Sequence, residues 1–145
     1  MASVNDIGID LGTSQILIYM KGKGVILREP TVVAIDRDTR DILVCGEEAR
    51  RMIGRTPGNV LALRPLRDGT ISDFELVSYM LKEFVTRAIG KHMFARPRAI
   101  LSLPTSVNEM EKRSLISTMS HLQNILPYQF FRCSIVQKWE LASQR

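Results

Sequence analysis

The hexapeptide Asp10-Leu-Gly-Thr-Ser-Gln15 brings together residue types that can handle phosphate and a hard cation. A carboxylate at the end of a strand can hold Mg2+, directly or through water. Gly12 carries no Cβ, so backbone N–H groups can come close to a phosphate oxygen. Thr13, Ser14 and Gln15 add side-chain donors. The same Asp and Gly also suit a hairpin turn for purely conformational reasons, and the hexapeptide alone leaves both readings open. Neither G-x-x-x-x-G-K-[ST] nor G-x-G-x-x-G occurs in the chain.

A second chemical signal is charge. The net charge is +5, but it is concentrated in one half. Residues 1–80 hold 10 basic and 11 acidic residues, whereas 81–145 hold 10 basic and 4 acidic. No acid falls between Glu83 and Glu109, a stretch containing Arg87, Lys91, Arg96 and Arg98. Met93 and Phe94 sit among these cations, a combination that favours an anionic interface such as a phospholipid surface. The alternative is that both side chains fold back onto the core and the cations form a solvated surface. Aromatics are 6% of the chain, and no helix-turn-helix, zinc-finger or RNA-recognition pattern is present, so nucleic acid is not an expected partner.

The elements that must position these residues follow from local pattern. Apolar, β-branched runs at Asp6–Asp10 and Gln15–Met20 flank the Leu11–Ser14 turn and predict strand, turn, strand. Further strands are expected at Val25–Leu27, Thr31–Ile35 and Ile42–Cys45, with Pro30 marking a break. Glu47–Ile53 reads as a short helix closed by Gly54, and Arg55–Gly58 as a loop. Asp73 looks like an N-cap for a helix in which Phe74, Val77, Leu81, Phe84, Val85 and Ala88 keep helical spacing until Gly90. Ala99–Leu103 is a buried strand ended by Pro104. Ser106-Val-Asn-Glu109 has the capping-box pattern and predicts a helix to about Leu122. Ser134–Arg145 reads as a frayed amphipathic helix.

Interleaved strands and helices imply an α/β fold, with a small subdomain inserted at about 36–69. With 145 residues, 45% apolar and 24% charged, the chain has the balance of one globular domain. No apolar run is long enough to span a membrane. The first residues have neither a basic nor an apolar leader pattern, so no secretory signal is expected. Cys45 and Cys133, with two histidines, match no metal or redox spacing.

Longer blocks carry a family resemblance. They are Gly8-Ile-Asp-Leu-Gly-Thr13, Lys21-Gly-Lys-Gly24, Glu29-Pro-Thr-Val-Val-Ala-Ile-Asp36, Gly46-Glu-Glu-Ala49, Gly54-Arg-Thr-Pro-Gly-Asn59 and Arg64-Pro-Leu-Arg-Asp-Gly-Thr-Ile-Ser-Asp-Phe74. Together they resemble the MreB family of bacterial actins, within the actin-like ATPase superfamily. The resemblance continues more loosely to Arg113 and is lost by about Ser120.

The resemblance implies an actin-like first lobe, of ribonuclease H-like α/β fold, over 1–122, followed by an unmatched tail at 123–145. It implies that Asp10 organises Mg2+ through water and that Gly12, Thr13, Ser14 and Gln15 form the first ATP phosphate loop. The family usually has Asn where Gln15 stands. Pro104–Arg113 looks like the family's P-S-G-x-T-x-V-E-x-R, which aligns Glu111 with the glutamate that orients the attacking water. Ser106 and Asn108 depart from that pattern, and without the resemblance Glu111 reads as a surface residue of an early helical turn. Lys91, Met93, Phe94 and Arg96 align with a membrane-dipping loop. Self-association into filaments, the cell-wall synthesis machinery as partner, and a cytoplasmic location on the inner face of the membrane follow in the same way.

The family's second phosphate loop, D-x-G-G-G-T, has no counterpart among the chain's nine glycines, none of which are adjacent. The strand and helix expected after Leu122 are also missing from the sequence pattern. The chain thus reads as a first lobe with a foreign tail, as a frameshift or premature stop would produce. Weak ATP binding and negligible hydrolysis are expected. Three readings follow: a cell-shape-determining cytoskeletal protein, a non-enzymatic membrane- or filament-interacting module, or a truncated product without function.

Overall fold

The computed structural model describes residues 6–55, 58–89, 98–103, 106–125 and 132–137, the last segment and 121–125 by backbone alone. In chain order the first elements are β1 (Asp6–Leu11), β2 (Gln15–Met20), β3 (Gly24–Pro30), β4 (Val33–Asp36), β5 (Ile42–Cys45) and α1 (Glu47–Met52). Next come β6 (Val60–Leu63), β7 (Leu66–Arg67), β8 (Thr70–Ile71) and α2 (Phe74–Ile89). The last are β9 (Arg98–Leu103), α3 (Glu109–Ile125) and β10 (Arg132–Gln137).

Five strands form the main sheet in the order β10-β9-β1-β2-β3. Strand β1 pairs antiparallel with β2, placing Ile9 opposite Ile18, and parallel with β9, placing Ile9 beside Leu101. Alternation sets the faces. Ile7, Ile9 and Leu11 of β1, Ile16, Ile18 and Met20 of β2, and Ala99, Leu101 and Leu103 of β9 are buried in one core. Gly8, Asp10, Tyr19 and Ile100 alternate with them and so lie on the opposite face.

Helix α2 begins where Asp73 accepts the Leu76 amide proton at 3.1 Å, the N-cap expected from the sequence. It buries Leu76, Val77, Met80, Leu81, Phe84, Val85 and Ile89 against the sheet. Phe84 is fully buried, and truncating it to Ala removes enough packing to cost about 3–5 kcal/mol. Helix α3 adds Leu115 and Met119 to the same core. Ser78 and Thr118 hydrogen-bond between the two helices at 3.0 Å.

A three-stranded sheet, β5-β4-β6, covers Val33–Leu63 together with α1. Its central strand is buried on both sides. Val33 and Ile35 join the main core, while Ala34 packs with Val32 and Ala49 against α1. That double burial ties the small sheet to the large one. Glu29 adds a polar tie: its carboxylate accepts the Glu47 amide proton at 2.7 Å and an Arg87 N–H at 3.4 Å. The helix junction at Gly46 has φ 74°, and an added Cβ would strike the Glu29 carboxylate, so glycine is required there.

Three local expectations change. The hairpin β7–β8 is absent from the sequence reading, although Asp68-Gly69 is a strong turn pair. Both residues adopt positive φ, 50° and 75°, as a type I′ turn needs. The helix expected at Ser134–Arg145 is replaced over Ser134–Gln137 by part of β10, a strand that runs parallel to β9 with Arg132 beside Arg98 and Gln137 beside Leu103, while 138–145 lie outside the described residues. A strand therefore follows α3, where the sequence pattern suggested none. Its residues include the β-branched pair Ile135-Val136, and the free edge of β9 offers backbone groups that need partners. Helix α3 provides the crossover that a parallel pairing requires. Finally, the cap of α3 lies at Asn108, with the consequences described next.

Candidate functional site

The turn between β1 and β2 closes through the Gly12 amide, which donates to the Gln15 carbonyl at 3.1 Å. A Cβ on Gly12 would lie 2.6 Å from that same oxygen, so the turn can close this tightly only with glycine. The visible role of Gly12 is thus conformational, and its own N–H is already engaged. Thr31, fully buried, fixes the turn from the other side. Its hydroxyl donates to the Gly12 carbonyl at 2.8 Å and its amide to the Ser14 carbonyl at 3.0 Å.

Two further segments converge on the turn. The Thr13 hydroxyl accepts the amide proton of Gly69, at the tip of the β7–β8 hairpin, at 3.1 Å. The Ser106 hydroxyl donates to the Gly69 carbonyl. Gly69 therefore bridges the turn and the β9–α3 connection. Sequence reasoning singled out Thr13 but not Thr31, Gly69 or Ser106 as its supports. The Asp68-Gly69 pair was the available signal for one of them.

Glu111 stands in the first turn of α3. Its carboxylate accepts the Asn108 amide proton at 2.9 Å, and the Asn108 side-chain oxygen accepts the Glu111 amide proton at 2.8 Å. This is a reciprocal capping box with Asn108 as N-cap and Glu111 three residues on. The box was expected at Ser106 and Glu109. Ser106 instead spends its hydroxyl on Gly69, and Glu109 pairs with Lys112 at 2.6 Å. That hydrogen bond to Lys112 is the main reason the Glu109 carboxyl sits below its ordinary value.

Asp10 lies next to the end of β1, half-buried, while Ser14 and Gln15 are exposed. Among the described residues no group of three His, Cys, Asp or Glu side chains could hold a metal ion. A lone carboxylate beside hydroxyl and amide donors suits a cation held through water and shared with phosphate oxygens. The residues present therefore fit the phosphate end of a Mg-nucleotide. Lys91, Met93, Phe94 and Arg96 lie outside the described residues. No helix of the described residues is long and apolar enough to cross a membrane.

Comparison with known proteins gives a consistent picture. The family model for MreB/Mbl protein matches residues 4–123. The cell shape-determining protein Mbl of Bacillus cereus is 53% identical over 110 residues, covering 76% of this chain and 33% of that protein. The cell shape-determining protein MreB of Escherichia coli K12 is 41% identical over 117 residues, covering 77% and 33% respectively. The chain thus spans about a third of the length of the curated relatives it matches. Among solved structures, MreB5 of Spiroplasma citri bound to ADP superposes with a TM-score of 0.71 at 28% identity, covering 92% of this chain and 38% of that one. A MamK double helical filament superposes with a TM-score of 0.65 at 21% identity, covering 91% and 41%, which speaks to the actin-like fold alone.

Proposed function

The chain belongs to the MreB/Mbl family, and from that premise we propose that it is the first, phosphate-gripping lobe of an actin-like, cell-shape-determining cytoskeletal protein. The observation that carries this reading is the Gly12–Ser14 turn, held by Thr31 on one side and by Thr13 to Gly69 on the other. Such a turn is rigid before any ligand arrives, and rigid donors cost little reorganisation when a phosphate docks.

In this reading the Thr13 and Ser14 hydroxyls and the Gln15 amide donate to the phosphates of ATP. The Thr13 hydroxyl oxygen already accepts from Gly69, which leaves its own proton to donate. Asp10 holds Mg2+ through water. Bound Mg-ATP supplies the transferable phosphoryl group and the charge neutralisation. Glu111 is the candidate for orienting water, and the Asn108 amide fixes one of its carboxylate oxygens at the start of α3. The lobe corresponds to 1–122, with the small sheet as its inserted subdomain. Filament formation, a cytoplasmic location beneath the membrane and association with the cell-wall synthesis machinery belong to the same proposal. The membrane contact is assigned to Lys91, Met93, Phe94 and Arg96.

This chain alone offers one side of a nucleotide cleft, since its sequence holds no second glycine-rich phosphate loop. Its own affinity for ATP is therefore weak and its hydrolysis negligible. Titration of the 15N-labelled chain with Mg-ATP tests the reading. The Gly12, Thr13 and Gly69 amides are expected to shift at millimolar ligand, and Asp10→Ala is expected to remove the Mg2+ dependence. Micromolar affinity, or shifts that leave these amides untouched, would overturn it.

A further inference from the structure

Next to the phosphate turn, and reaching across to the small sheet, lies an open cleft of about 380 Å3 whose polar walls come from Ser14, Gln15, Arg28, Glu47, Arg50 and Arg64. Four separate parts of the chain build it: the β1–β2 turn, β3, α1 and the β6–β7 connection. Three guanidinium groups and one carboxylate meet there. The carboxylate is already committed. Glu47 takes Arg50 in a two-pronged contact at 2.8 and 2.7 Å and also reaches Arg51 at 3.3 Å. Among the described residues Arg28 and Arg64 make no ion pair. The cleft therefore carries a surplus of two positive charges, with Arg50 held in place by Glu47.

We propose that this cleft is a second anion site, bordering the phosphate turn and sharing Ser14 and Gln15 with it, that takes a compact, multiply charged oxyanion of the phosphate class on a soluble small molecule. A guanidinium presents paired N–H donors matched to such an anion. Arg28 supplies them from β3 and Arg64 from the β6–β7 connection, and Ser14 and Gln15 add neutral donors. The volume falls in the range of small-molecule sites, about 300–1,000 Å3, and exceeds what a single phosphate fills. Because Arg28 belongs to the main sheet and Arg50 to α1, a bound anion bridges the large and small sheets. Such an anion binds without Mg2+, since the cations are the protein's own.

Inorganic pyrophosphate, with chelator present, is the probe. Titration of the 15N-labelled chain is expected to shift the side-chain Nε–H signals of Arg28 and Arg64 and the Glu47 amide, while Gly69 stays put. Arg28→Gln and Arg64→Gln are each expected to weaken binding roughly tenfold or more, consistent with loss of a charge-assisted hydrogen bond. Added sodium chloride is expected to weaken it further. Both arginines are exposed, and an unchanged thermal melt confirms that each variant is folded. No binding, or binding indifferent to both substitutions, overturns the proposal. So do shifts confined to Gly12, Thr13 and Gly69, which place the anion on the phosphate turn. The Mg-ATP titration judges the nucleotide reading independently of either result.

Discussion

The hydroxyl of Thr13 accepts the amide proton of Gly69 at 3.1 Å, joining residues 56 positions apart in sequence. Gly69 in turn accepts from Ser106 through its carbonyl, so a single residue at a hairpin tip locks the β1–β2 turn to the entry of α3. Thr13→Val keeps the shape of the side chain and deletes the acceptor. The half-buried Gly69 amide is then unsatisfied, and stability is expected to fall by about 1–3 kcal/mol. Thr13→Ser restores the acceptor and most of the loss. Chemical denaturation of the two variants decides the point: equal midpoints would mean the bond contributes nothing.

Glu111 has two separable roles, one in the helix cap and one in the proposed chemistry. Glutamine can accept the Asn108 amide proton as glutamate does, whereas alanine cannot. Glu111→Ala is expected to lower stability by about 1 kcal/mol, and Glu111→Gln to leave it nearly unchanged. In a protein of full relative length, both variants would lose phosphate hydrolysis. Loss confined to Ala would show that the cap, not the carboxylate, matters.

Burial pushes the Cys45 thiol up to about 12, against a smaller opposing effect of Arg87. A thiol of this kind is inert while the chain is folded. In a Cys133→Ser background, iodoacetamide at about pH 8 is expected to label Cys45 only as fast as the protein unfolds. The thiol's ordinary value is 9.0, below its folded value. Its contribution to stability is thus complete below pH 9 and is lost as the pH climbs toward 12. Rapid labelling of the native protein would contradict the buried placement.

Membrane association is tested by co-sedimentation with phosphatidylglycerol vesicles. Binding is expected to such vesicles and not to phosphatidylcholine alone, because cations at Lys91 and Arg96 flank the apolar pair. Met93→Ser with Phe94→Ser is expected to abolish it. Binding that persists in the double variant would assign the contact to the basic surface alone. Binding that ignores ATP would favour a membrane-interacting module over a nucleotide-driven filament subunit.

Much of the architecture is written locally. The strands on either side of the β1–β2 turn, the Asp73 cap and the buried face of α2 follow from alternation, helical spacing and a capping residue, each set within a few positions. The ordered blocks from Gly8 to Phe74 were enough to indicate the family. The candidate turn was legible because Asp10, Gly12 and Thr13 fall within one short stretch of the chain.

The supports of that turn were decided elsewhere. Ser106 and Asn108 both had the chemistry to cap α3, and local pattern favoured Ser106. The fold brings the Gly69 carbonyl to the Ser106 hydroxyl from 37 residues away, and Asn108 takes the cap with Glu111. Residues Arg132–Gln137 looked foreign as a sequence, yet β9 offers them an edge to pair with. Arg28, Arg50 and Arg64 are scattered in sequence and gather around one cleft. Local spacing fixes which elements form, because backbone geometry repeats every two or 3.6 residues. Which polar groups meet is settled by packing, because each donor and acceptor is satisfied by whatever partner the chain folds against it.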